Sequence, residues 1–237
     1  MRAASLRAQL ETALGERASS PFTDVEKRVW DCVPSGIPTL DDAMGGLPRG
    51  AIVEIFGAPS SGRTSLALTI LSTLIQQGEV CALVDGTDAF DPESGSAAGI
   101  DMRRLLWVRC RNLDQVLRSA DLLLQGGGFG AVALDLSDLP QQAVRGVPLA
   151  VWFRFQRVLE NTPTVLMLIG RESAAKSAAA VVLRANLRKA AWNGIATAVS
   201  HGLLLTQTHL DVEILRIRHS RCRFPKVHHD VRLHSCS

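Results

Sequence analysis

Nine consecutive residues concentrate the chemistry this sequence offers: Gly57-Ala58-Pro59-Ser60-Ser61-Gly62-Arg63-Thr64-Ser65. Glycines at 57 and 62 let the backbone curl until successive N–H groups converge on an anion, and a helix opening at the second glycine points its positive end at the same place. Thr64 supplies the hydroxyl that a nucleotide-bound Mg²⁺ needs, and the spacing is that of a phosphate-binding P-loop with Arg63 where lysine is expected. Arginine keeps the charge but is longer, planar and forked, so it sets that charge differently against a β- or γ-phosphate. The ligand implied is ATP with Mg²⁺. A carboxylate for the metal comes from AVALDL at 131–136, whose Asp135 closes an apolar run with Ser137 and Asp138 just beyond. An aspartate in that place also serves as a turn or cap residue.

These residues need a scaffold, and the chain spells one out. Apolar, β-rich runs at 51–56, 80–85, 105–109, 131–136 and 165–169 alternate with helical patterns from Gly62 to about Gln77, over 112–124 and over 148–160. Repeated βαβ of this kind predicts an α/β core, a mostly parallel sheet between helices. A further helix is expected over 176–190, then a strand at 202–206. Beyond it Leu215 and Ile217 alternate with Arg216 and Arg218, a Phe224-Pro225 turn follows, and Val231 and Leu233 alternate with Asp230 and Arg232. That ending reads as an antiparallel hairpin on one edge of the sheet. At the other end Leu6, Leu10, Ala13 and Leu14 mark a short amphipathic helix, followed by Gly15 and a polar linker through Ser19-Ser20-Pro21. Residues 1–35 are therefore expected to form a helix and linker, an arm for assembly, and 36–237 the core.

Residues 36–62, GIPTLDDAMGGLPRGAIVEIFGAPSSG, resemble the opening segment and P-loop of the RecA-type recombinases, and EVCALVDGTDAFDP at 79–92 is similar to the next strand and turn of that family. The resemblance runs densely to GGFGAVALDL, ending at 136, and more faintly to RIRHSRCRFPKVHHDVRL. It implies a RecA-like P-loop core that uses ATP and Mg²⁺. It also implies a catalytic glutamate after the second strand, where this chain reads Asp85-Gly86-Thr87-Asp88 and places Thr87, which cannot act as a carboxylate base. Asp88 is one residue further, in a register that points the other way. The glutamine that senses nucleotide in the family is replaced by Arg171, a residue that either meets a γ-phosphate or pairs with its neighbour Glu172. About five residues separate Arg171 from the helix expected near Lys176, where the recombinases carry a long DNA-inserting loop, and the stretch after Asp135 is also brief.

The shortness, Arg63 and the altered positions look closest to RecA-like accessory proteins of the ImuA type. That likeness implies a role in DNA repair and damage-induced mutagenesis, with a RecA-type recombinase or translesion polymerase subunits as partners and at most a weak ATPase. The alternative is a DNA-dependent ATPase that forms its own recombinase filament on single-stranded DNA. The N-terminal helix is the surface on which such a partner, or a second copy of the chain, would pack.

Composition sets the outer bounds. With 237 residues, 46% apolar and 21% charged, the chain is globular rather than disordered. The longest stretch free of charge, 190–210, carries Asn193, His201 and Gln207 and makes a poor membrane span. Five scattered cysteines with no CxxC pair fit a reducing cytoplasm. The net charge of +3 is concentrated late: residues 214–237 hold Arg216, Arg218, Arg221, Arg223, Lys226 and Arg232 against Asp230. This basic end suits phosphate, an acidic partner or a solvated strand face. With no tyrosine and few aromatic residues outside apolar runs, DNA contact is expected to be weak or indirect. Cys222, His228, His229, His234 and Cys236 match no zinc spacing. In LAVWFRFQRVLE the residues Trp152, Phe153 and Phe155 cannot all share one helix face, so one of them is expected at the surface.

Overall fold

The computed structural model describes residues 31–193, 204–218 and 228–234. The amphipathic stretch at 6–14, the Phe224-Pro225 turn, Cys222 and Cys236 lie outside them. Strands β1 (Cys32–Val33) and β2 (Leu47–Pro48) pair antiparallel around helix α1 (Pro38–Met44). The rest of the described chain is built on one eight-stranded sheet. Its strands are β3 (Ala51–Phe56), β4 (Cys81–Asp85), β5 (Leu105–Arg109), β6 (Ala131–Asp135), β7 (Val165–Gly170), β8 (Val181–Asn193), β9 (Leu204–Ile217) and β10 (His228–His234), in the order β10-β9-β8-β3-β7-β6-β4-β5. The strands from β8 to β5 run parallel, and β9 and β10 close the other edge as an antiparallel pair. The α/β class, the mostly parallel sheet and the terminal antiparallel hairpin are as the sequence implies.

Strand alternation sorts the core into two layers. Val53, Ile55, Ala133, Met167 and Ile169 face α1 and helix α2 (Arg63–Gln76), whose Leu66, Ile70, Leu71 and Leu74 are buried against them. Ile52, Val132, Leu134, Leu166 and Leu168 face the opposite side, covered by α4 (Leu113–Gly126) and α6 (Leu149–Leu159). Burial on both faces explains why these strands read as unbroken apolar runs. Two short helices, α3 (Pro92–Ala97) and α5 (Gln141–Arg145), fill the turns after β4 and β6. On α6, Trp152 and Phe155 are buried and Phe153 is exposed, as three aromatics on one helix require.

The helix expected over 176–190 is not formed. Lys176–Ala178 make one 3₁₀ turn, and Val181–Asn193 is a strand inserted between β3 and β9. Its alanines and charged residues carry fair helix propensity, but Val181, Val182 and Leu183 are buried on both faces of the sheet. A helix docked on the sheet would bury one stripe only. Arg184 then lies opposite Glu213 of β9 and pairs with it at 3.2 Å. The segment joining β7 to β8 is therefore 171–180, and it passes along the sheet face instead of climbing through a crossover helix. Glu54, buried on β3, holds it: its carboxylate accepts the Ser173 hydroxyl at 2.6 Å and the amides of Ala174 and Ala175, while Ala180 N–H donates to Ile52 O.

Candidate functional site

Four neighbouring strands, β3, β7, β6 and β4, end at the same edge of the sheet. Register aligns Phe56 with Gly170, Ile169 with Asp135, and Asp135 with Asp85. The C-terminal edge of a parallel sheet is where the α/β architecture gathers its ligand-binding loops.

The loop after β3 is anchored at its start by Gly57 N–H donating to Gly170 O, and it is folded on itself by Ser61 N–H donating to Ala58 O. Ser60 and Gly62 take left-handed backbone conformations, with φ of 60° and 84°. Gly62 is required twice over, because a Cβ there would also stand 2.3 Å from Leu210 Cδ2. At Gly57 a Cβ would meet the Ala185 carbonyl of β8 at the same separation, so the glycine lets two backbones touch. Helix α2 begins at Arg63 with no side-chain cap and no acidic residue in its first turn. Its N-terminal amides and dipole are left for an anion. Ala58, Pro59, Ser60, Thr64 and Ser65 are exposed, and the buried Ser61 Oγ has no hydrogen-bond partner among the described residues.

Arg63 is 7% exposed. Its Nη1 donates to Gly57 O at 2.9 Å and to Ala58 O at 2.6 Å, and its Nε donates to Ser137 Oγ at 3.0 Å. Burial pulls its pKa below the ordinary arginine value, opposed by Asp135 and Asp138. The residue braces the loop from inside.

Asp135 ends β6 with its Oδ1 accepting Ser137 N–H at 2.9 Å, and burial, reinforced by Asp85 alongside, raises its pKa. A carboxylate so placed is relieved by a cation. Asp85 itself is consumed by structure: it accepts the amides of Thr87 and Phe90 and the Trp107 indole N–H. Thr87 is exposed in the turn that Asp85 builds. Asp88, left-handed at φ 59°, gives both carboxylate oxygens to Arg109 of β5, whose guanidinium lies 5.2 Å from the Trp107 ring centre and holds the Asp88 carboxyl below its usual range. Asp88 is thus turned toward the outer strand β5.

Arg171 donates from Nε to Ser137 O and from Nη2 to Asp138 Oδ1, each at 2.8 Å. It does not pair with Glu172, which binds Arg145 instead. The fold therefore brings Arg63, Asp135 and Arg171 onto one short loop, 135–138, beside the turn at 57–62, and sets Asp88 toward β5, with Thr87 exposed just before it. Two residues here carry no motif signal. Ser137 is a common loop residue, while Glu54 announced itself only as a lone acid inside the apolar run AIVEIF.

The donor set suits a phosphate with a divalent ion: an uncapped helix start, an orphaned buried hydroxyl, an exposed Thr64 hydroxyl and a desolvated Asp135. Among the described residues no helix is long and apolar enough to cross a membrane.

Comparison with known proteins agrees with the architecture. The RecA N-terminal domain family matches residues 3–145. Protein RecA of Acidothermus cellulolyticus is 38% identical over 130 residues, spanning 54% of this chain and 38% of that protein. Protein RecA of Francisella philomiragia is 36% identical over 134 residues, spanning 55% of this chain and 37% of its own length. The alignments thus cover well under half of these relatives. A solved KaiC-like protein from Pyrococcus horikoshii superposes with a TM-score of 0.58 over 84% of this chain and 94% of that one, at 19% identity, a likeness of fold.

Proposed function

The chain belongs to the RecA N-terminal domain family, and from that premise we propose that it is an ATP-binding accessory protein of DNA repair and damage-induced mutagenesis, akin to the ImuA type. It acts through a RecA-type filament or a translesion polymerase complex, in the cytoplasm. The observation that carries this reading is the turn after β4. The position for a water-orienting carboxylate holds Thr87, and the adjacent Asp88 is spent on Arg109. Without that carboxylate, binding of nucleotide survives better than hydrolysis. The segment 171–180 supports the same conclusion, because Glu54 fastens it to the sheet where the recombinases have a DNA-inserting loop.

In this reading the amides of the 57–64 turn and the N-terminus of α2 take the phosphates. Thr64 meets Mg²⁺ with Asp135 behind it, and Arg63 and Arg171 supply positive charge from the other side. Bound Mg²⁺ and ATP together bring a compact polyanion whose charge these groups neutralise. The basic C-terminal end is left to meet DNA or an acidic partner indirectly.

The experiment is co-purification of the full chain with a RecA-type filament and with a translesion polymerase subunit, repeated with Leu6→Asp and Leu10→Asp. Association that these changes abolish, in a chain that still binds nucleotide, is the expected result. A wild-type chain that forms strand-exchanging filaments unaided, with DNA-stimulated turnover, would replace this reading by that of a recombinase.

A further inference from the structure

Through its three polar groups Ser137 is bound to three residues of the site. Its N–H donates to Asp135 Oδ1, its hydroxyl accepts from Arg63 Nε, and its carbonyl accepts from Arg171 Nε. It is 4% exposed, so no water competes strongly for these groups. The hydroxyl bond exists only because residue 63 is arginine. Of the Arg63 nitrogens only Nη1 serves the two loop carbonyls, Gly57 O and Ala58 O, the second of which also accepts the Ser61 amide. A lysine at this place would have a single nitrogen to share between those carbonyls and a phosphate, with nothing to offer Ser137. Arginine divides the work: Nη1 braces the loop, Nε is pinned by Ser137, and Nη2 makes no hydrogen bond among the described residues.

Resting on the nucleotide-binding reading above, we propose that Ser137 is a positioning residue that turns the Arg63 fork so that Nη2 meets the nucleotide phosphates. In this way the chain tolerates arginine in its P-loop. A planar guanidinium fixed at two corners has its third corner fixed as well, and a fixed donor loses less freedom when phosphate arrives. Through its carbonyl and amide, Ser137 also ties that donor to Arg171 and to Asp135.

The test is a double-mutant cycle read by calorimetric titration of Mg²⁺ and ATP, with thermal melting of the nucleotide-free protein alongside. Ser137→Ala weakens ATP binding about tenfold, the size expected for one hydrogen bond to a charged group, and Ser137→Thr, which keeps the hydroxyl, restores it. In an Arg63→Lys background, Ser137→Ala changes affinity by less than about twofold. Equal losses in both backgrounds, or unchanged affinity in Ser137→Ala with Arg63 present, overturns the proposal and leaves nucleotide binding standing. A folded wild-type chain that binds no ATP overturns the nucleotide-binding reading and this proposal with it. If Ser137→Ala does not fold, Ser137→Cys keeps the volume and weakens the acceptor, with the same outcomes expected.

Discussion

Replacing Glu54 removes the group that holds the 171–180 segment to the sheet. Its carboxylate is 1% exposed and accepts two backbone amides and the Ser173 hydroxyl, and Ala175, one of those amide donors, is fully buried. Glu54→Ala strands both amides, at about 1–3 kcal/mol each, and leaves a gap in a packed layer for about 1 kcal/mol more. The expected loss is about 4 kcal/mol, a large share of the roughly 5–15 kcal/mol that stabilises a domain. Glu54→Gln keeps one oxygen for the amides and fills the space, while Ser173 can turn its hydroxyl to accept from the new NH₂. Only the charge is lost, at about 1–2 kcal/mol. Urea unfolding of the full chain measures both, with an unchanged slope showing that the midpoint shift is a stability change. Hydrogen exchange at Ala174 and Ala175 should accelerate in the alanine variant before any other part of the sheet. An alanine variant within about 1 kcal/mol of wild type, or a glutamine variant as damaged as the alanine one, would show that Glu54 does not hold the segment in this way.

The other expectations are more local. Burial pushes the Cys81 thiol up to about 12, so at pH 8 it stays protonated and resists alkylation until the protein unfolds; labelling in native buffer at the rate of a free thiol contradicts this. Gly62→Ala meets both a φ of 84° and Leu210, and should cost about 1–3 kcal/mol while disabling the phosphate turn; a variant with wild-type melting temperature and ATP affinity would show that the turn is not built as described. Thr87→Glu returns a carboxylate to the turn after β4 and should raise turnover by up to about 10²-fold; no increase in a folded, ATP-binding variant places the defect elsewhere.

The parallel core and the glycine turn at 57–62 are clear in the sequence, because both rest on local patterns. VLMLI is apolar on both faces and AIVEIF nearly so, its Glu54 apart, and Gly57 to Ser65 has a spacing that few other turns share. The strand at Val181–Asn193 was hidden because Ala-rich segments with scattered charges satisfy helix propensity, and only the long-range pairing with β3 and β9 decides otherwise. The site was legible as a set of positions but not as a network. That Arg171 would choose Asp138 over the adjacent Glu172, and that Arg63 would reach Ser137 across 74 positions, depends on which strand ends the sheet brings together. Glu54 is the instructive case: an acid in the middle of a buried strand is costly unless something answers it. The answer came from a segment more than a hundred residues away.

A P-loop that holds nucleotide without a working hydrolytic base is put to the test by one titration followed to its end. Mg²⁺ and ATP are added to the full chain in a calorimeter, and the same sample is then assayed for released phosphate, with and without single-stranded DNA. Saturable binding with slow or absent turnover that DNA does not accelerate is the expected result. No binding up to millimolar ATP in a folded sample, or turnover at the rate of an ordinary RecA-type ATPase, would contradict it.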